Sequence, residues 1–214
     1  MKKLDWQIID YQQAWNKQEE IFNRTIELKR QGASTENCLI LCEHPHVFTI
    51  GKSGNAQNML FDDGSVPVIR TNRGGDITYH GFGQIVGYPV FDLENLRIGL
   101  KEYIHKIETA IINLLAHYSI KGERLNGATG VWLDAEIPAK TRKICAIGVR
   151  CSHFVTMHGF ALNVNTDLNY FNRINPCGFT DKGVASMQKE LNRTLDIEKI
   201  KVQLFLEIEK IFRK

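Results

Sequence analysis

The chain lacks the features that would place it outside the ordinary globular classes. No stretch approaches the 18 consecutive apolar residues of a membrane-spanning helix, and the cations Lys2 and Lys3 are followed by no apolar run of signal-peptide length. These absences predict a cytosolic protein with no membrane partner. Its five cysteines, Cys38, Cys42, Cys145, Cys151 and Cys177, form no CxxC pair, and an odd count without a secretory signal argues against a disulfide framework. An excess of 27 Lys and Arg over 24 Asp and Glu leaves a net charge of only +3, too little to predict a nucleic-acid partner. Neither GxGxxG nor GxxxxGK[ST] occurs, so neither nucleotide fingerprint is present.

What is present is an ordinary soluble composition, 43% hydrophobic and 24% charged over 214 residues, enough chain for one domain spanning 1–214. Helical spacing of Trp15, Phe22 and Ile26 predicts an amphipathic helix from about Tyr11 to Arg30, stopped by Gly32. Short strands are expected at 38–41, 47–50, 66–70 and 77–80, with a polar loop at 51–57 and another apolar run at 84–93. A second helix carries Leu100, Ile104, Ile107, Ile111 and Leu114, and a closing helix carries Ile197, Ile200, Leu204, Ile208 and Ile211. Between them, 131–133, 143–150 and 154–165 read as sequential antiparallel strands. Long helices separated by groups of strands, without βαβ alternation, predict an α+β fold with a mixed, largely antiparallel sheet.

Three segments have the composition of a site. Residues 73–84 hold four glycines with Arg73 and His80, a density that suits either a structural turn or a loop that lets backbone approach a ligand. Lys143 begins an apolar strand, where alternation places it on the face of Cys145, Ile147 and Val149. It could be partly desolvated there, or snorkel to water. Cys177 sits between Pro176 and Gly178, a turn that presents its side chain, although an incidental turn cysteine fits the same pattern. A thiol of pKa about 8.5 is only a few per cent thiolate at pH 7, and even half the roughly 4 kcal/mol of attraction from an ammonium at about 4 Å would bring it near 7. Cys42, His44 and His46 have two-residue spacing, but Pro45 interrupts it and no fourth metal ligand is evident. His153 reads as surface or core, and His158 precedes Gly159-Phe160-Ala161.

Taken in order, Glu43-His44-Pro45 with Val47-Phe48-Thr49, Arg73-Gly74-Gly75 with Thr78-Tyr79-His80-Gly81, Lys143 to Arg150, His158 to Asn165, and Pro176-Cys177-Gly178 resemble the lipoyl(octanoyl) transferase family over nearly the whole chain. The resemblance implies the fold of biotin and lipoate ligases, related to class II aminoacyl-tRNA synthetase cores. It further implies a Cys177/Lys143 dyad that moves an octanoyl group from octanoyl-acyl carrier protein to a lysine of apo-lipoyl domains or glycine-cleavage H protein, with no cofactor and no metal. The acyl pocket is implied to comprise Arg73, Gly74, Gly75, Asp76, Ile77, Thr78, Tyr79 and His80, Ala146, Ile147 and Gly148, and Gly159, Phe160 and Ala161. Asp76 stands where many members carry Gln, and Phe82 where Pro is usual, which predicts a reshaped pocket. Two other readings share the fold: an ATP-dependent lipoate or biotin ligase, which needs no nucleophilic cysteine, and an inactive carrier-binding scaffold.

Overall fold

A computed structural model describes residues 1–175 and 182–213, so Cys177, with Pro176 and Gly178, lies outside the described residues. The main sheet runs in the order β1 (Lys2–Ile8), β2 (Cys38–Glu43), β6 (Gln84–Val90), β10 (Val155–Asn163), β9 (Arg142–Ser152), β8 (Ala128–Leu133) and β7 (Glu123–Leu125), with the two-residue β11 (Gly183–Val184) on β9. Only β1–β2 and β11–β9 are parallel in it. A smaller sheet orders β4 (Val68–Arg70), β3 (Val47–Ile50) and β5 (Ile77–His80). The α+β expectation holds, and 131–133, 143–150 and 154–165 fall in the consecutive antiparallel strands β8, β9 and β10. Lys2–Ile8, with charged residues breaking its apolar pattern, becomes a strand only because β2 offers an edge.

Helix α1 (Tyr11–Arg30) has the predicted bounds. Asp10 caps it by accepting from the Gln13 amide at 3.0 Å, and Lys29 and Arg30 complement the dipole at its end. Its buried face, Tyr11, Ala14, Gln18, Phe22, Thr25 and Ile26, packs on β6 and β10 against Ile40, Val86, Val90 and Met157. The opposite face of the sheet carries α3 (Leu100–Ala116) and α5 (Ile197–Phe212), whose Ile107, Ile111, Leu114, Ile200, Leu204 and Ile208 are fully buried against β8, β9 and β10. Each such side chain contributes about 1.5–3 kcal/mol through burial. Covered on both faces, β10 is buried along its whole length, which is why it reads as one apolar run. A third cluster, Phe48, Ile50, Ile77, Tyr79, Phe171 and Ile174, fastens the small sheet to the chain before residue 176. Two further helices are short: α2 (Leu93–Leu96) and α4 (Met187–Leu191).

At the centre of the main sheet, backbone and ring come into direct contact. Gly87 of β6 lies under Phe160 of β10, and a Cβ at that glycine would stand 2.1 Å from the ring. Gly87→Ala should therefore lower stability by about 1–3 kcal/mol through overpacking. Urea denaturation with an unchanged slope would measure it, and a midpoint equal to the parent's would refute the contact.

Candidate active site

The α1 face of the sheet is not filled completely. β6, β9 and β10 floor a cleft of about 480 Å³ including its mouth, and the loop from Arg73 to β5 roofs it. The roof contributes Arg73, Gly75, Asp76, Thr78 and His80; β9 contributes Ala146, Ile147 and Gly148, and β10 contributes Gly159, Phe160 and Ala161. Of the segment expected to line it, Gly74, Ile77 and Tyr79 do not. Strand alternation turns Ile77 and Tyr79 away into the small-sheet cluster, and Gly74 faces an outer groove, its amide donating to the Val149 carbonyl at 2.9 Å. Tyr11, Val86, Tyr88 and His158 complete the lining. Tyr11 carried no local signal, since it enters the cleft only because α1 crosses the sheet there.

Arg73, 8% exposed, holds the roof in place. Its Nη2 donates to the Thr49 carbonyl (2.7 Å), the Thr49 hydroxyl (3.0 Å) and the Asp76 carbonyl (2.7 Å), and its Nη1 donates to the Gly74 carbonyl (3.0 Å). Asp76 closes the same loop by accepting from the amides of Ile77 and Asn55 and from the Asn58 side chain. Phe82, expected to reshape the pocket, lies outside the lining. It is 45% exposed and meets His46 edge-on at 5.1 Å, because the Gly81–Gly83 turn swings it outward. Below that turn, Glu43 accepts from the Gly83 amide at 2.8 Å and is itself balanced by Lys201, 1% exposed among Asp5, Glu43 and Glu198.

Three buried histidines surround the cleft, each with its tautomer dictated by neighbours. His80 Nδ1 donates to Gln84 Oε1 (2.8 Å) and its Nε2 accepts from the Thr49 hydroxyl (3.3 Å). His44 Nδ1 donates to the Ile9 carbonyl (2.7 Å), so its Nε2 accepts from Tyr88 (2.6 Å). His158 Nε2 donates to Asn72 Oδ1 (2.6 Å). Burial is the largest influence on all three, pushing His80 and His158 down to about 3 and His44 to about 4. With these roles His44 has no nitrogen left for a metal. His46 is turned away to stack on Tyr170 at 4.4 Å, and no group of potential metal ligands occurs among the described residues. His153 is exposed.

Lys143 does not share a face with Cys145 as strand alternation predicts. Val131 pairs with Cys145, but the next residue of β8, Trp132, pairs with Lys143, so β9 carries one extra residue there. The bulge shifts the pleat by one. Cys145 points into the α3/α5 core, while Lys143 turns to the cleft side and places Nζ 4.5 Å over the Trp132 ring. Gly130 (φ +126°) makes room, since a Cβ there would lie 2.6 Å from the Cys145 carbonyl and 3.5 Å from the Lys143 stem. Lys143 lines a second chamber with Gln84, Trp132, Asn163 and Lys182, and this chamber meets the cleft at Thr78, Ala146 and Ala161. It also lines the open outer groove between Gly74–Asp76 and Gly127–Thr129.

A concave cleft on a largely antiparallel sheet, adjoining a chamber that holds a buried lysine, has the form of a small-molecule site on an α+β domain. The comparisons agree and specify it further. The profile of the lipoyl protein ligase A/B catalytic domain matches residues 10–209, and the chain belongs to that family. It is 56% identical over 208 residues to a protein of Parabacteroides distasonis named octanoyltransferase, covering 94% of each chain. Among solved structures, its fold matches a bipartite lipoate protein ligase of Thermoplasma acidophilum (TM-score 0.68, 14% identity, 99% of this chain and 84% of that one). It also matches the biotin protein ligase of Aquifex aeolicus in complex with biotin and ATP (TM-score 0.56, 11% identity, 100% and 71%). Among the described residues no helix is long and apolar enough to cross a membrane.

The histidines make stability depend on pH with a definite sign. Their folded pKa values lie below the ordinary 6.5, so the unfolded chain binds more protons, and the stabilisation is complete above about 6.5 and lost as pH falls below it. The loss accumulates as pH falls from about 6 toward 4. Thermal melts at pH 7 and pH 5 should differ by many degrees, whereas equal melting temperatures would show that these rings are not buried in the neutral form.

Proposed function

We propose that this chain transfers an octanoyl group from octanoyl-acyl carrier protein to a lysine of apo-lipoyl domains or glycine-cleavage H protein, in the cytosol and without a cofactor. Family membership and the name of the 56%-identical relative support the acyl class and the link to lipoylation. The observation that carries the mechanism is Lys143, buried in the chamber that adjoins the cleft and at the edge of an open groove. Its burial argues for a role in proton exchange over one as a surface charge.

Cys177 is the proposed nucleophile. The chain reaches residue 175 with the Asn175 amide donating to Asn58, and resumes at Lys182, beside Lys143, where Gly183 and Val184 pair with Arg142 and Lys143. The Cys177 thiolate attacks the octanoyl thioester, forming an acyl–sulfur bond and expelling the carrier thiolate, which takes the proton of the Lys143 ammonium and leaves that amine neutral. The acceptor amine then attacks that thioester; nitrogen–carbon bond formation expels the cysteine sulfur, and Lys143 takes up the proton. Both protein substrates reach Lys143 from the groove between Gly74–Asp76 and Gly127–Thr129. A landing site built from Lys140, Arg142 and Arg150 is disfavoured. Arg142 and Arg150 lie eight residues apart on β9, about 26 Å. Arg142 is held by Asp134 and Glu190, and Arg150 leans over Phe22 with its Nη1 3.8 Å from Glu19.

Intact-mass measurement after incubation with octanoyl-carrier protein should detect an octanoyl adduct that Cys177→Ser abolishes while leaving the fold intact. An adduct that survives, or moves to another cysteine, would remove Cys177 from the role. Lys143→Ala should slow iodoacetamide alkylation of Cys177 near pH 7, where loss of a neighbouring cation leaves less thiolate. An unchanged alkylation pH profile would dissolve the dyad.

A further inference from the structure

The cleft has a direction. From the Lys143 end, β6 passes from Gln84 to Tyr88 and β10 from Asn163 to Gly159, four residues on each strand or about 13 Å. A chain entering methyl-first from Lys143 therefore ends against Tyr11, Tyr88 and His158, a wall that is polar where an alkyl terminus calls for an apolar one.

Three buried polar atoms at this wall close no hydrogen bond among the described residues: His158 Nδ1, Gln18 Nε2 and Trp15 Nε1, whose ring stands 6.0 Å from that of His158. The Asn72 amide nitrogen points to Glu19, so its oxygen faces His158 and takes the proton from Nε2, which leaves His158 Nδ1 as a bare acceptor. His158 is 1% exposed, and among the described residues Nδ1 reaches no partner. Gln18, fully buried on α1, accepts from the His158 amide at 3.3 Å with Oε1, while its Nε2 turns toward the Tyr88 hydroxyl without closing a hydrogen bond of good geometry. The Tyr88 hydroxyl gives its proton to His44 and keeps its oxygen available as an acceptor. The backbone of His158 is held at φ +59°, a conformation unfavourable for a histidine and tolerated because it delivers the ring to this position. A buried donor and a buried acceptor left unmatched in one region are the ordinary partners of a single internal water.

We propose that Gln18, His158 and Tyr88 hold one water at the blind end of the cleft, and that this water is the stop that sets acyl chain length. The inference rests on the octanoyl-transfer reading. The water accepts from Gln18 Nε2 and donates to His158 Nδ1 and to the Tyr88 oxygen. An eight-carbon chain ends against it, whereas a ten-carbon chain must expel it and leave those groups unmatched, which offsets the gain from burying two more methylenes.

The test compares octanoyl and decanoyl small-molecule thioesters as donors, reading each adduct by intact mass over time. In Gln18→Met, similar in length but unable to donate, the decanoyl-to-octanoyl rate ratio should rise about tenfold, within a ceiling of about 15-fold for two buried methylenes. Tyr88→Phe should shift the ratio the same way by less, and stands in if Gln18→Met does not fold. A ratio within twofold of the parent's in a folded variant, or both rates reduced in equal proportion, overturns the stop, since a purely structural role slows both donors alike. Crystals of the parent protein should show an ordered oxygen within hydrogen-bond distance of both His158 Nδ1 and Gln18 Nε2, and no solvent peak there also overturns it. A parent protein that takes up neither acyl group overturns the transferase reading itself, an outcome distinct from normal acylation with an unchanged ratio.

Discussion

The small sheet roofs the main one through a chain of hydrogen bonds that begins at one guanidinium. Arg73 donates to the Thr49 hydroxyl, Thr49 to His80, His80 to Gln84, and Gln84 to Asn163, whose own amide donates to the Ala185 carbonyl beside β11. Each group in this series passes a donor to the next, so the rotamers and tautomers along it are set together. The series links the roof loop, β3, β5, β6 and β10, and it ends in the chamber that Lys143 lines. Such a network tolerates neither a protonated His80, which would turn a second N–H toward the Thr49 hydroxyl proton, nor a lysine at position 73, which lacks the planar fork that reaches four acceptors at once. The roof keeps its place over an unfilled cleft because these bonds, and not apolar packing alone, hold it there.

A one-residue irregularity decides which face of the main sheet Lys143 occupies. On a regular β9, Lys143 would follow Cys145 into the apolar layer beneath α3 and α5. The bulge reverses its face, Trp132 supplies an aromatic surface for the ammonium, and Gly130 leaves space for the side-chain stem. The lysine thus stays buried on the cleft side of the sheet.

Around the cleft, polar residues are buried in pairs and chains rather than singly. Lys201 sits among three carboxylates, and one of these, Glu43, carries the order on to the Gly83 amide of the glycine-rich turn. His44 in turn orients the Tyr88 hydroxyl. The residues that line the cleft are therefore held by a layer that never touches it, and this layer draws on α1, α5, β1 and β2, elements distant in sequence from the glycine block.

The sequence by itself determined the elements whose cause is local. The periodicity of α1, α3 and α5 survives any packing that buries one face, and the alternation of 77–80 separates Thr78 and His80 from Ile77 and Tyr79 without reference to the rest of the chain. The family pattern pointed to most of the cleft lining, because close backbone approach demands glycine and small residues at Gly75, Gly148 and Gly159. Tertiary structure alone decided the rest. Strand β1 exists by pairing with β2; Tyr11 reaches the cleft, and Gln18 the layer behind its wall, because α1 crosses β6 and β10; the face of Lys143 depends on a register that only the partner strand β8 can impose; and Phe82 points outward because its turn does. Pairing, crossing and register are relations between segments far apart along the chain, and no local pattern of side chains encodes them.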